Sequence, residues 1–181
     1  VHYYRGQALD QLDRYPEARD AYVAAKDRDR LRFRASEDIN RVVRQESERP
    51  GVHVVETRAA LSKASRGGVI DKGMMLEHLH PNAEGYFLIA DAFYEALLLE
   101  SGLPAASPIA ADQARSETLL TPIDSLFGAY RVVQLMGSWP FEAPGTAWSD
   151  TLTPRTPLEQ ITTRLFRGET SWLEATTDWM G

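Results

Sequence analysis

Cysteine is absent from this chain, and its absence excludes a disulfide framework, a thiol nucleophile and a cysteine-ligated metal site. Long apolar runs are absent too, because Asp91 and Glu95 interrupt the most apolar stretch, residues 87–99. We therefore expect no transmembrane segment. An undiluted basic stripe is also missing: Asp27 and Asp29 dilute the one basic cluster, residues 26–34. A nucleic-acid partner is not expected for that reason.

The residues that are present are typical of a globular protein. The 181 residues carry 20 Lys and Arg against 26 Asp and Glu, for a net charge of −6, and 43% of them are hydrophobic. This length predicts one domain with an appendage, or two small domains. Because the chain begins with Val1 inside a predicted helix, we expect it to be a fragment or a processed product.

Residues 1–30 are predicted to form two helices joined by a tight turn. Small and aromatic residues recur at helical spacing in both segments: Tyr4, Ala8 and Leu12, then Ala18, Tyr22 and Ala25. The order of residues resembles a tetratricopeptide (TPR) repeat, carried by Gly6, Leu9, Tyr15, Ala18, Tyr22 and Ala25. The resemblance implies a surface for a protein partner. A lone repeat cannot bury its own apolar face, so either further repeats lie upstream or this pair packs on the next domain. A plain helical hairpin is the alternative.

The middle of the chain predicts an α/β pattern that is mostly helical. Ser36 is a predicted N-cap, followed by an apolar stripe of Ile39, Val42 and Val43. The β-branched run at 52–56 predicts a buried strand, and a short helix is expected over 58–64. Asn82 is the predicted N-cap of a long helix that ends near residues 101–102. One strand cannot form a sheet, so its partner strands are expected to lie outside this chain or in another copy.

The rest of the chain is predicted to be a linker followed by helices. Residues 103–118 are rich in Ala, Pro and Ser, and helices are expected to begin after Thr121 and Thr156, with a third around Trp172. All four tryptophans lie in this part of the chain, at positions 139, 148, 172 and 179. They are interpreted as the cover of a core, with a docking surface as the alternative.

Only one stretch, Glu77-His78-Leu79-His80-Pro81-Asn82, suggests a reaction. A carboxylate three residues before a histidine can accept a hydrogen bond from the imidazole Nδ1–H, which fixes the tautomer and leaves Nε2 to take a proton. Glu77 would orient the ring and His80 would be the general base. A metal site is the alternative, since Glu77, His78 and His80 are all capable ligands. We expect neither a metal nor a cofactor, because the helical His-Glu-x-x-His pattern is absent.

From Asp27 to Leu99 the chain resembles the C-terminal part of SGNH/GDSL-type hydrolases, in a group that combines this domain with TPR repeats. The matching segments are residues 31–35, 39–44, 51–56, 76–86 and 88–90. The last block of that family is an acid, two spacers and the catalytic histidine, usually followed by Pro and a small polar residue. Glu77 and His80 fall on the acid and histidine positions, although the acid is more often Asp. The resemblance implies a three-layer α/β/α domain and a small ester substrate.

The family's Gly-Asp-Ser-like and Gly-x-Asn-like blocks, which supply the nucleophile and oxyanion donors, do not occur here. None of the eleven serines lies in a glycine-flanked strand-to-helix elbow. We therefore expect half of a hydrolase site, inactive alone. The predicted organisation is a TPR-like hairpin (1–30), the C-terminal part of an SGNH-like domain (31–102), a linker (103–118) and a helical extension (119–181). The alternative function is an interaction module attached to an inactive SGNH-like remnant.

Overall fold

A computed structural model describes residues 1–31, 33–100, 108–143, 145 and 148–181. The chain is mostly helical. Within the described residues lie nine α-helices: α1 (His2–Gln11), α2 (Tyr15–Asp27), α3 (Glu37–Glu46), α4 (Thr57–Ala64), α5 (Ala83–Glu100), α6 (Ala111–Ser116), α7 (Pro122–Met136), α8 (Pro157–Phe166) and α9 (Trp172–Met180). A short 3-10 turn, Arg66–Gly68, follows α4. The chain divides into two compact units, Val1–Ala111 and Asp112–Gly181.

Helices α1 and α2 form the predicted hairpin, and their contact is built on small residues. Leu9, Ala18 and Ala21 are buried between the helices, with Tyr22 packed against them. Gly6 lets the helices approach, because a Cβ at this position would lie 2.6 Å from the Tyr22 ring. Tyr4 and Leu12, which recur at helical spacing along α1, are exposed. The buried face of α1 is therefore the one that carries Gly6 and Leu9.

The hairpin packs on a later segment of the same unit, one of the two arrangements expected for a lone repeat. Arg66 Nε donates to the Tyr15 hydroxyl at 2.7 Å, and Arg66 also pairs with Asp13 at 2.6 Å. Gly67 has φ of +59°, and a Cβ there would lie 2.1 Å from the Tyr15 ring. The turn between α1 and α2 is thus joined closely to the 3-10 turn.

The strand expected at 52–56 is not formed. Val52 is exposed, Val54 and Val55 are half-buried, and no strand is present in the described part of the chain beyond an isolated bridge between Met75 and Pro81. A β-branched run favours extended backbone, but a strand also needs a neighbour to accept and donate its hydrogen bonds. No such neighbour lies beside residues 52–56 among the described residues, so the α/β part of the predicted fold class is not observed.

Helix α3 begins as predicted, and its apolar stripe is exposed. The Ser36 hydroxyl accepts from the Ile39 N–H at 3.4 Å. Ile39, Val42 and Val43 each remain about half exposed. Helix α5 also carries exposed apolar side chains, including Phe93 and Leu97, although it packs against α4.

The second unit contains most of α6 together with α7, α8 and α9, and each of the last three helices starts with a reciprocal cap. Thr121, Thr156 and Ser171 pair with acids three residues on. Ile123, Thr162 and Ala175 are fully buried. Trp148 packs on Phe166, whereas Trp172 is half exposed and donates to Asp124 at 2.7 Å. Trp148 therefore covers the core, as predicted, whereas Trp172 lies at the surface.

The predicted linker, 103–118, is partly helical, since it contains α6. Its residues 103–107 and the predicted helix end at 101–102 lie outside the described residues. Among the helices that the structure describes, none has the length and apolar character needed to cross a bilayer.

Candidate functional site

The site lies in a closed loop that leads into α5. Leu76 N–H donates to the His80 carbonyl at 2.8 Å, and Asn82 N–H donates to the Met74 carbonyl at 2.9 Å. The Asn82 side chain caps α5 as predicted, since its Oδ1 accepts from the Gly85 N–H at 2.9 Å. Gly85 is required because a Cβ there would lie 2.3 Å from the Met74 carbonyl oxygen. These contacts hold the residues between 76 and 82 in one defined turn.

Glu77 and His80 contact each other inside this turn. Glu77 Oε1 is hydrogen-bonded to His80 Nδ1 and accepts from the His80 N–H at 2.8 Å. Its other oxygen, Oε2, accepts from the Leu79 N–H at 2.9 Å. The Glu77 side chain is only 1% exposed, whereas that of His80 is 52% exposed. The acid is thus enclosed by its own loop, and the imidazole that it holds faces outward.

The surroundings of Glu77 keep its carboxyl group ionised. Burial raises its pKa, but the hydrogen bonds from the His80 ring and from the backbone N–H groups of His80 and Leu79 lower it, as does the charge of His78. The net result is a pKa below the ordinary value for glutamate. An ionised carboxylate accepts from Nδ1–H, which leaves the Nε2 lone pair of His80 available to a proton.

The contact between the carboxylate and the imidazole leaves His80 able to accept a proton. A neutral imidazole oriented by a carboxylate is the base half of a nucleophilic site. The sequence supplies neither a glycine-flanked serine elbow nor a Gly-x-Asn-like block of oxyanion donors. The contact between Glu77 and His80 is present in the structure, and the catalytic roles of the two residues stay predictions.

Two further side chains lie at the site, His78 and Phe33, and Phe33 was not indicated by the sequence. His78 Nδ1 lies 2.6 Å from Glu77 Oε2, and the Phe33 ring meets the His78 ring edge-on with centroids 4.9 Å apart. The sequence indicates His78 only as a possible ligand or a neighbouring loop histidine. The sequence feature that could have placed His78 at the site is its position next to Glu77. Phe33 lies 45 residues before His78, and no sequence feature indicates their contact.

Other candidate groups do not join the site. Among the described residues, no group of three His, Asp or Glu side chains is arranged to hold a metal ion. His53 faces outward, with Nδ1 3.2 Å from Glu100 Oε1. In the basic segment, Arg34 lies 3.7 Å from Asp29, and Arg32 falls outside the described residues.

Comparisons of the chain with protein-family models, with curated proteins and with solved structures find no match.

Proposed function

We propose that this chain is the C-terminal portion of an SGNH/GDSL-type ester hydrolase and supplies its histidine–acid pair. The single observation that carries the proposal is the contact between the Glu77 carboxylate and Nδ1 of His80. The burial of the acid and the exposure of the imidazole support it, because one nitrogen of a general base must be held by its partner while the other is open to the substrate.

In the proposed reaction, a serine hydroxyl from outside this chain attacks the carbonyl carbon of a small ester. Nε2 of His80 takes the hydroxyl proton, and Glu77 stabilises the imidazolium that forms. Collapse of the tetrahedral intermediate breaks the bond to the alcohol, which leaves with the proton from His80. Water then attacks the acyl-serine with His80 again as the base, so that the serine is restored and a carboxylic acid is released.

The exposed apolar faces of two helices also support this proposal. Ile39, Val42 and Val43 on α3, together with Phe93 and Leu97 on α5, are each about half exposed or more. An amphipathic helix in a three-layer domain buries this kind of face against a sheet. We infer that the sheet layer that covers these faces is contributed by polypeptide outside these 181 residues.

The test is p-nitrophenyl acetate hydrolysis by the full gene product that contains this chain. His80→Ala is expected to lower kcat/KM by about 100- to 10,000-fold, the usual contribution of a general base. The matched control is His53→Ala, which removes an exposed histidine from the same unit and is expected to leave the rate unchanged. The 181-residue chain alone is expected to match buffer. A His80→Ala protein that keeps its rate would overturn the proposal.

The second candidate function is a TPR-type interaction module with an inactive hydrolase remnant. It is favoured by the close packing of α1 on α2 through Gly6 and Tyr22, which such a repeat requires. A folded full gene product that hydrolyses p-nitrophenyl acetate no faster than buffer, with or without His80, would support this candidate instead.

A further inference from the structure

The pairing with His80 occupies only one oxygen of the Glu77 carboxylate. The second oxygen, Oε2, accepts from the Leu79 N–H at 2.9 Å and lies 2.6 Å from Nδ1 of His78. That nitrogen is fully buried although the His78 ring is 25% exposed. Four nitrogens surround this carboxylate, two at each oxygen: three are hydrogen-bonded to it, and the fourth, Nδ1 of His78, makes an ion-pair contact without hydrogen-bond geometry.

The ring of His78 is itself held in place. Phe33, which lies in the segment before α3, meets it edge-on at 4.9 Å with the ring planes 75° apart. His78 is therefore fixed on one side by an aromatic ring and on the other by a buried carboxylate. A residue fixed in this way restricts the rotation of the carboxylate that it touches, since turning the carboxylate would separate Oε2 from Nδ1.

We propose that His78 is a positioning residue that acts on His80 through Glu77. By holding Oε2, His78 fixes the plane of the carboxylate in which Oε1 faces Nδ1 of His80, and so favours the Nδ1–H tautomer of His80. The catalytic consequence rests on the proposed function, because only in a hydrolase does this tautomer set a rate. The effect on the tautomer itself requires no reaction.

Two substitutions separate the polar contact from packing. His78→Asn places an amide donor near the position of Nδ1 but removes the ring, whereas His78→Phe keeps a ring against Phe33 and removes the donor. The first measurement is the ¹⁵N spectrum of the His80 ring in the 181-residue chain above neutral pH. We expect the Nδ1–H form to dominate in the unaltered chain and in His78→Asn, and the two tautomers to mix in His78→Phe.

The second measurement is ester hydrolysis by the full gene product. Loss of a group that orients a metal-binding histidine costs about 10- to 100-fold in affinity or activity, and we expect a comparable cost for the oriented general base here. We expect His78→Phe to lower kcat by about tenfold with little change in KM, and His78→Asn to retain most of the rate. Circular dichroism checks that each variant folds, and His78→Leu serves as the donor-free variant if His78→Phe does not.

The outcomes distinguish this proposal from the proposed function. If His78→Phe keeps the Nδ1–H tautomer and His78→Asn loses it, His78 acts by packing and the positioning role is overturned. A tautomer shift in a gene product without esterase activity would retain the positioning role and remove the proposed function. Esterase activity that depends on His80 but not on His78 would support the proposed function and overturn the positioning role of His78.

Discussion

At the scale of single residues, Glu37 contacts two other helices of the first unit, which no sequence pattern indicates. Its Oε1 accepts from Lys26 of α2 at 2.6 Å and from Arg58 of α4 at 2.7 Å. The hydrogen bond from Lys26 lowers the pKa of Glu37 to about 2, and with the further contribution of Arg58 it outweighs the effect of burial. One carboxylate therefore connects three helices.

This pKa predicts how the first unit responds to acid. Because the folded pKa lies below the ordinary value, the stability due to Glu37 is fully present above about pH 4.5 and is lost as the pH falls towards about 2. Glu37→Gln is expected to lower the free energy of unfolding by about 1–2 kcal/mol at pH 7, after allowance for partial exposure, and by less at pH 2. Urea unfolding followed by circular dichroism at several pH values measures both.

The matched control is Glu48→Gln, which removes an exposed carboxylate of the same unit from the turn after α3. It is expected to change the unfolding free energy by less than about 0.5 kcal/mol at every pH. If the two variants lose stability equally, the connection through Glu37 is not a significant source of stability.

The sequence predicted a contact between residues close together in the chain and missed contacts between residues far apart in it. Glu77 and His80 are three residues apart in one loop, so their contact could be expected from spacing alone. Glu37 lies in the first turn of α3, but its partners lie 11 and 21 residues away. Spacing cannot indicate those partners, because they meet only after three helices have packed.

At the scale of elements, local signals predicted the helices and failed for the strand. The caps at Ser36, Asn82, Thr121 and Thr156 act on backbone groups within three residues, so each helix start could be located from sequence. The run at 52–56 carries the composition of a strand, but its hydrogen-bond partners would be non-local. The composition of a segment indicates its backbone preference and not whether a neighbour exists.

The hairpin gives a prediction at this scale. Gly6→Ala places a methyl group 2.6 Å from the Tyr22 ring, so the helices must separate or the ring must move. We expect a loss of about 1–3 kcal/mol in the stability of the first unit, the usual cost of overpacking. Thermal unfolding measured by circular dichroism gives the change.

Gly128→Ala is the control, because Gly128 lies inside α7 with nothing within 4 Å of its Cβ position. In an open helical position alanine is favoured over glycine by about 0.5–1 kcal/mol, so this variant should be slightly stabilised. A Gly6→Ala protein that gains stability as Gly128→Ala does would show that α1 and α2 are not in close contact.

At the scale of the whole molecule, the two compact units have separate cores. Buried residues of the first unit include Leu9, Ala18 and Leu61, whereas those of the second include Ile123 and Ala175. The units divide between residues 111 and 112, and the linker bounds of 103–118 stay a prediction. What the sequence could not predict is how many apolar side chains stay exposed, since that depends on which other elements cover them.

The distribution of tryptophan makes the separate cores testable. All four tryptophans lie in the second unit, so fluorescence excited at 295 nm reports on that unit alone, while circular dichroism reports on the helices of both. Ile123→Ala empties a fully buried position of the second unit and should cost about 2–5 kcal/mol there. It is expected to lower the urea midpoint of the fluorescence transition and to leave part of the dichroism transition in place.

Gly6→Ala tests the first unit in the same way, since it alters only that unit. Its dichroism transition should begin at lower urea while its fluorescence midpoint stays at the value of the unaltered chain. If either variant instead moves both signals together, the two cores unfold as one cooperative structure. In that case the stability of the first unit would depend on residues outside that unit. The exposed apolar faces of α3 and α5 would then no longer be evidence that the first unit lacks its own sheet layer.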